Sequence, residues 1–119
     1  HLDVYGNDFN TCDGTGIRDY IHIDDLVDGH LKAMEFIDIH NGYNIWNLGS
    51  GKGYSVFQVL KEFEKASETK IPYKIRNRRK GDIGEYWADI KKSKIELNWH
   101  ARKGLREMIF DIINYANKI

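Results

Sequence analysis

A chain of 119 residues in which Lys+Arg and Asp+Glu both number 18 carries no formal net charge at pH 7, so its overall field favours neither nucleic acid nor a membrane surface. That length suits one ordinary domain, residues 1–119, able to bury a core without staples. The single cysteine, Cys12, excludes an internal disulfide, and no apolar run approaches the ~20 residues of a membrane span. No signal-peptide pattern opens the chain, and a reducing, cytoplasmic setting is the expectation.

The opening "HLDVYGN" has neither a helix cap nor an initiator Met and starts on a strand-like stretch already under way. It predicts a fragment of something longer. Leu2–Tyr5 predicts a short strand, and Gly6 to Gly16, rich in Gly, Asn, Asp and Thr, a loop. In "IRDYIHI", Ile17, Asp19, Ile21 and Ile23 share one face of a strand, with Arg18, Tyr20 and His22 on the other. Asp24 or Asp25 suits the N-cap of the following helix. Leu26, Ala33, Met34 and Ile37, helped by Val27 and Leu31, give that helix an apolar side, and Asn41-Gly42 ends it.

"YNIWNLG" predicts a buried strand leading into a glycine loop. Ser55 then caps a helix with Val56, Val59, Leu60, Phe63 and Ala66 inward. "KIPYKIR" predicts a strand with Pro72 near its start, where a missing N–H costs least. After a polar loop from Asn77 to Glu85, Asp89 caps a short helix through Leu97. A last helix runs from about Gly104 to Ala116, with Leu105, Met108, Ile109, Ile112 and Ala116 inward. Strands alternating with helices predict an α/β fold.

The glycine loop "NLGSGKGYSV" invites comparison with a phosphate cradle. The dinucleotide fingerprint needs G-x-G-x-x-G, but here the spacing is G-x-G-x-G and Tyr54 stands where the third glycine belongs. A ribose-binding carboxylate should follow about 20 residues later at a strand end. Glu62, Glu64 and Glu68 instead fall in or just after the helix. Lys52 lacks a following Ser/Thr and a glycine five places before it, so the P-loop fails as well. The expectation is a strand-to-helix turn needing positive φ and close backbone approach.

Lys74, Arg76, Arg78, Arg79 and Lys80 crowd one short stretch, with Lys74, Arg76 and Arg78 on one strand face. Alone, that run reads as a charge-protected sheet edge. A nucleic-acid surface is disfavoured by the neutral chain around it. The adjoining "RRKGDIGEY" adds a carboxylate, Asp82, and an aromatic ring, Tyr86. This set suits a phosphorylated sugar: arginine holds diphosphate through its fork, the carboxylate accepts from ribose hydroxyls, and the ring packs on a flat group. In "GTGIRDYIH", Arg18 beside Tyr20 and His22 offers a second cation for the same anion. A structural pairing of Arg18 with Asp19 or Asp24 is the competing reading.

Other chemistries find no support. The histidines include no H-x-x-x-H and no cysteine cluster accompanies them, so no metal site is expected. Cys12 has no recognisable base neighbour. There is no G-x-S-x-G, and none of the seven tyrosines has a lysine four residues later.

Three strings, "YGNDFNTCDGTGIRDYIHIDDLVDGHLKAMEF", "YNIWNLGSGKGYSV" and "RRKGDIGEYWAD", resemble the UDP-glucose 4-epimerase family of extended short-chain dehydrogenase/reductases, from about Leu2 to the end. The resemblance implies the C-terminal substrate-binding part of an NAD(P)-binding Rossmann-type enzyme, a small mixed sheet with flanking helices. It also implies that NAD and the catalytic Tyr-x-x-x-Lys and Ser/Thr belong to an N-terminal domain absent from this chain. This chain would then supply no catalytic, cofactor-binding or metal residues and be inactive alone. The family interconverts UDP-galactose and UDP-glucose through a transient 4-keto sugar.

By the same resemblance, Asp3, Val4 and Tyr5 line the uridine, with Tyr5 beside the uracil. Arg18 and Arg79 face the diphosphate, Asp82 bonds the ribose, Tyr86 lies near the sugar, and Val56 is an apolar contact to the nucleotide. Cys12 and Lys80 depart from the usual pattern without removing a ligand. The implied partner is a UDP-sugar, with a homodimer for the full-length protein. A free-standing UDP-sugar-binding module, or an epimerase for the N-acetylated pair, remains the alternative.

Overall fold

In the computed structural model, which describes residues 1–118, the elements run β1 (Leu2–Tyr5), β2 (Ile17–Asp19), α1 (Ile23–Ile37), β3 (Gly53–Ser55), α2 (Val56–Ser67), β4 (Tyr73–Arg76), α3 (Lys91–Glu96) and α4 (Leu105–Ala116). The class is α/β, as expected, with the strands divided into two pairs of opposite sense. β1 and β4 are parallel, Leu2 opposite Tyr73 and Tyr5 opposite Arg76; β2 and β3 are antiparallel, Ile17 opposite Ser55 and Asp19 opposite Gly53. Pro72 precedes β4 and uses only its carbonyl, which accepts from Leu2 N at 2.8 Å.

The core gathers Val4, 1% exposed, with Leu60, Leu97, Trp99, Leu105, Met108 and Ile109. α2 and α4 pack against each other over it. Leu105, Met108 and Ile109 point inward as expected, but Ile112 and Ala116 are exposed, as is Ala66 of α2. For Ile112 an apolar groove of about 630 Å³ explains why. It stays open between Val59 and Phe63 of α2 and Met108, Ile112 and Tyr115 of α4.

Ser55 caps α2 as its sequence demands. Its Oγ accepts from Gln58 N at 3.1 Å, and Gln58 Oε1 accepts from Ser55 N at 2.8 Å, a capping box. The same Oγ donates to Asp13, and Asp13 Oδ1 also accepts from Thr15 N at 2.9 Å and Thr15 Oγ1 at 2.7 Å. One hydroxyl thus ties the long 6–16 loop to α2. Ser55→Ala is expected to lower stability by about 1–2 kcal/mol, seen as a lower denaturant midpoint at unchanged slope.

Burial pushes the Asp13 carboxyl up, but the Ser55 and Thr15 donors outweigh it and hold the group below the usual carboxylate range. A depressed folded value stabilises the fold above the ordinary carboxylate pKa of about 4, and that stability disappears as pH falls through the lower folded value. Asp13→Asn is therefore expected to flatten the stability curve below about pH 4, measured by denaturation at stepped pH. An unchanged acid limb would show that Asp13 carries no linkage.

Helix α1 departs from expectation at its start and along its face. Its N-cap is His22, not Asp24 or Asp25: Nδ1 accepts from Asp24 N at 3.0 Å, and the two aspartates fall in the first turn. With Nδ1 accepting, Nε2 carries the proton and donates to Asp111 Oδ2 at 2.9 Å, latching α1 to α4 through a ring 5% exposed. The β2 strand accordingly stops at Asp19 rather than running through Ile23. α1 turns its smallest side inward: a Cβ on Gly29 would lie 2.9 Å from Leu48 and 3.0 Å from Trp99. Of the expected inner face, Leu26 and Ala33 are half-buried, whereas Val27, Leu31, Met34 and Ile37 are exposed.

The predicted buried strand over 43–49 is also overturned. Residues 43–48 have no ladder partner among the described residues, and Tyr43 is 90% exposed. Their exposure alternates as a strand's would, so the pleat is encoded but nothing among the described residues pairs with it. At α3, Asp89 Oδ1 accepts from Lys91 N at 3.0 Å as expected, with Ile90 in the cap position.

Candidate functional site

The glycine loop is built around a carboxylate. Asp19 Oδ1 accepts from Ser50 N at 2.9 Å and Ser50 Oγ at 2.5 Å, and Oδ2 from Gly51 N at 3.0 Å and Ala88 N at 3.2 Å. Gly49 is required by close approach, since a Cβ there would lie 2.6 Å from Asp19 Oδ2 and 2.7 Å from the Ala88 Cβ. At Gly53 it would lie 2.5 Å from Ile17. Gly51 has φ 71°, the conformation that favours glycine. The loop amides a phosphate would need are thus taken by an anion of the chain itself. Together with Tyr54, this does not fit a dinucleotide pyrophosphate.

Strand β2 holds the 82–88 segment from both of its faces. On one side Arg18 donates from Nη1 to Ile17 O at 2.8 Å and Gly84 O at 3.3 Å, and from Nη2 to Ile83 O at 2.9 Å. Its guanidinium carbon lies 5.0 Å from the centre of the Tyr86 ring. On the other side Asp19 takes Ala88 N. Between them Ile17 N donates to Gly84 O at 2.9 Å and Tyr86 N to Ile17 O at 3.2 Å. Neither proposed pairing of Arg18, with Asp19 or with Asp24, is present: Asp24 accepts from Lys103 Nζ instead, at 2.5 Å. Arg18 is a loop clamp whose fork keeps uncommitted N–H donors.

At the C-terminal ends of the parallel pair, Arg79, Asp82 and Tyr5 come together. Arg79 Nε donates to Asp82 Oδ2 at 3.0 Å, and its guanidinium carbon stands 5.0 Å from the Tyr5 ring centre. Bonding through Nε leaves both terminal amino groups of Arg79 for a bidentate anion. It likewise leaves the second Asp82 oxygen for a hydroxyl. Asp3, two residues before Tyr5, pairs instead with Arg76 at 3.0 Å. Val4 is core, and its side chain is sealed away from any ligand. Val56 is the half-buried first residue of α2, beside the Ser55 cap. The eight residues therefore fall into a Tyr5–Arg79–Asp82 group, an Arg18–Tyr86 group and three that support or flank them. A cleft of about 370 Å³ opens beside the second group, lined by Asp19, Leu48, Gly49, Tyr86 and Trp87.

Two residues escaped the sequence reading. In the sequence, Asp19 reads as a strand-face residue or a partner of Arg18, and Asp13 as part of a loop. For Asp13 the signal is local, an aspartate two residues before a threonine in a glycine-rich turn; for Asp19 there is none, because its donors lie 31 to 69 residues away. Elsewhere, ligand atoms of His22, Asp24 and Asp111 lie within 4.8 Å of one another. The Lys103 ammonium already bridges the two carboxylates, Asp111 at 3.4 Å.

The family described as GDP-mannose 4,6 dehydratase matches residues 2–112. Among curated proteins, the UDP-glucose 4-epimerase of Erwinia amylovora is 47% identical over 117 residues, covering 98% of this chain and 35% of the relative. That of Bacillus subtilis (strain 168) is 51% identical over 110 residues, covering 92% of this chain and 32% of the relative. The crystal structure of the Bifidobacterium longum UDP-glucose 4-epimerase in complex with NAD+ and UDP aligns at TM-score 0.92 and 46% identity, covering 98% of this chain and 34% of that one. The Stenotrophomonas maltophila enzyme with bound NAD and formylated UDP-arabinopyranose aligns at 0.90 and 35% identity, covering 99% and 36%. This chain thus spans about a third of the length of these relatives. It belongs to the family described as GDP-mannose 4,6 dehydratase, and within that family it matches the C-terminal part of UDP-glucose 4-epimerases.

Proposed function

We propose that residues 1–119 form the UDP-binding wall of a UDP-glucose 4-epimerase, which interconverts UDP-glucose and UDP-galactose. The observation that carries this is the Tyr5–Arg79–Asp82 group: an aromatic ring, a cation with free terminal amino groups and a carboxylate with a free oxygen, adjacent in space. Tyr5, with Asp3 and Val4 behind it, receives the uracil. Asp82 accepts from the ribose, and Arg79 and Arg18 bind the diphosphate from two sides. Tyr86 stands at the sugar end, and Val56 flanks the nucleotide.

NAD supplies the hydride chemistry of this reaction and is held by portions of the protein outside these residues, in keeping with a glycine loop whose amides are already engaged. The proton-transferring residues lie outside them too. The longer protein works as a cytoplasmic homodimer. Among the described residues no helix is long and apolar enough to cross a membrane.

Calorimetric titration of UDP into the longer protein, with turnover of UDP-glucose to UDP-galactose, tests the reading. Binding and turnover are expected. UDP binding without turnover would favour a UDP-sugar-binding module, and turnover only of the N-acetylated pair would move the substrate. No UDP binding would overturn the proposal. Residues 1–119 alone are expected to bind UDP weakly or not at all and NAD not at all. NAD binding by this piece would overturn the placement of the cofactor.

A further inference from the structure

Asp19 combines three observations. Each of its carboxylate oxygens accepts two hydrogen bonds, from Ser50 N and Oγ and from Gly51 N and Ala88 N, which fills the lone pairs of a carboxylate. No lysine or arginine pairs with it among the described residues, so its charge is held by backbone amides and one hydroxyl. Its donors come from two segments far apart in sequence, the glycine loop that delivers Val56 and the 86–88 stretch that carries Tyr86, and β2 itself carries Arg18. A saturated carboxylate has nothing left to offer a ligand. It can act only through what it holds.

We propose that Asp19 is a positioning residue of the UDP-sugar site: its carboxylate knots the glycine loop and the Tyr86–Ala88 segment to β2, setting Arg18, Tyr86 and Val56 relative to one another. This rests on the functional reading above. The chemistry requires an ionised acceptor. An asparagine has the same outline but turns an NH2 toward amides that must donate, so at least one backbone N–H is left facing a donor. The close approach at Gly49, whose Cβ would meet both Asp19 and Ala88, leaves no slack for the three segments to repack.

The test uses the longer protein with Asp19→Asn and Ser50→Ala, the second removing one hydroxyl donor and keeping the carboxylate. Both KM and kcat for UDP-glucose are measured, together with calorimetric UDP affinity. A displaced wall weakens binding in every folded molecule. Asp19→Asn should therefore raise KM and weaken UDP binding about tenfold, and Ser50→Ala about threefold, with kcat changing less than KM. A merely structural role would lower the fraction of active enzyme, and so kcat per chain, with KM and UDP affinity unmoved; that result overturns the proposal. If Asp19→Asn does not fold, Ser50→Ala decides, and wild-type KM and UDP affinity in that variant overturn it. A parent protein that neither binds UDP nor turns over the sugar would fail at the functional reading instead. Normal parent activity with unaffected variants fails only at Asp19.

Discussion

Arg79→Ala in the longer protein is expected to raise the KM for UDP-glucose and the dissociation constant of UDP by about 10- to 150-fold, the loss of ~1.5–3 kcal/mol for a charge-assisted hydrogen-bonded contact. The geometry sets this size. Arg79 spends only Nε on Asp82, at 3.0 Å, and rests on Tyr5 with 5.0 Å between guanidinium and ring centre. One truncation therefore removes the forked donor, loosens the ring beneath it and releases Asp82 from its orientation. Because the lost contacts are the same in ground and transition states, kcat should change far less than KM. Arg79→Lys keeps the charge but not the fork, and should fall between the two. Stability is expected to hold within about 0.5 kcal/mol, since the Arg79–Asp82 pair is solvent-exposed on the arginine side. A wild-type KM in Arg79→Ala would remove Arg79 from the diphosphate site.

Trp99→Ala is the second large effect, on folding rather than binding, with about 3–5 kcal/mol of stability lost. Trp99 is 2% exposed and its Nε1 donates to Asp25 O at 3.2 Å inside α1. The indole fills the space that Gly29 leaves on the helix, at the 3.0 Å limit where not even a methyl fits. Leu48 borders the same hollow, and how far it collapses sets where in that range the loss falls. The deletion thus creates a cavity and removes a buried hydrogen bond to the Asp25 carbonyl. Denaturant unfolding of the variant measures the loss, and a change under about 1 kcal/mol would show that the α1–Trp99 contact is not a keystone of the core.

Local chemistry was legible where a residue and its partner lie close in sequence. The Ser55 cap and the Leu105–Met108–Ile109 face follow from spacing alone, because propensity and periodicity act over one or two turns. The glycine loop is the turn its spacing predicts, with Gly51 at φ 71°. What could not be read was which face of α1 meets the core. Its Val27–Leu31–Met34 stripe is more apolar than the Asp25–Gly29 side that is buried. The inward choice is made by Trp99 and Leu48, which seek the low helix surface at Gly29, and periodicity is blind to such fit. The 43–48 segment failed for a related reason. Alternation encodes a pleat but not the neighbour that would bond it. At the site, residue types pointed to Arg79 and Asp82 but not to their mutual bond, and Arg18 was expected on an acidic side chain or an anion rather than on the carbonyls of Ile83 and Gly84. Backbone acceptors leave no trace in composition.

The parallel pairing of β1 with β4 carries a kinetic consequence. Leu2 meets Tyr73 across some seventy residues of intervening chain, and closing a loop of that length costs about 4 kcal/mol of chain entropy before any contact repays it. The α2 helix and its cap draw on neighbours near in sequence and can form early. The strand pair, anchored chiefly by Val4, must wait for the rest of the fold to shorten the effective distance. Tyr5 and Arg79 become neighbours only when that closure is complete, so the end of the chain proposed to receive the nucleotide is the last part to acquire its shape and the first to surrender it.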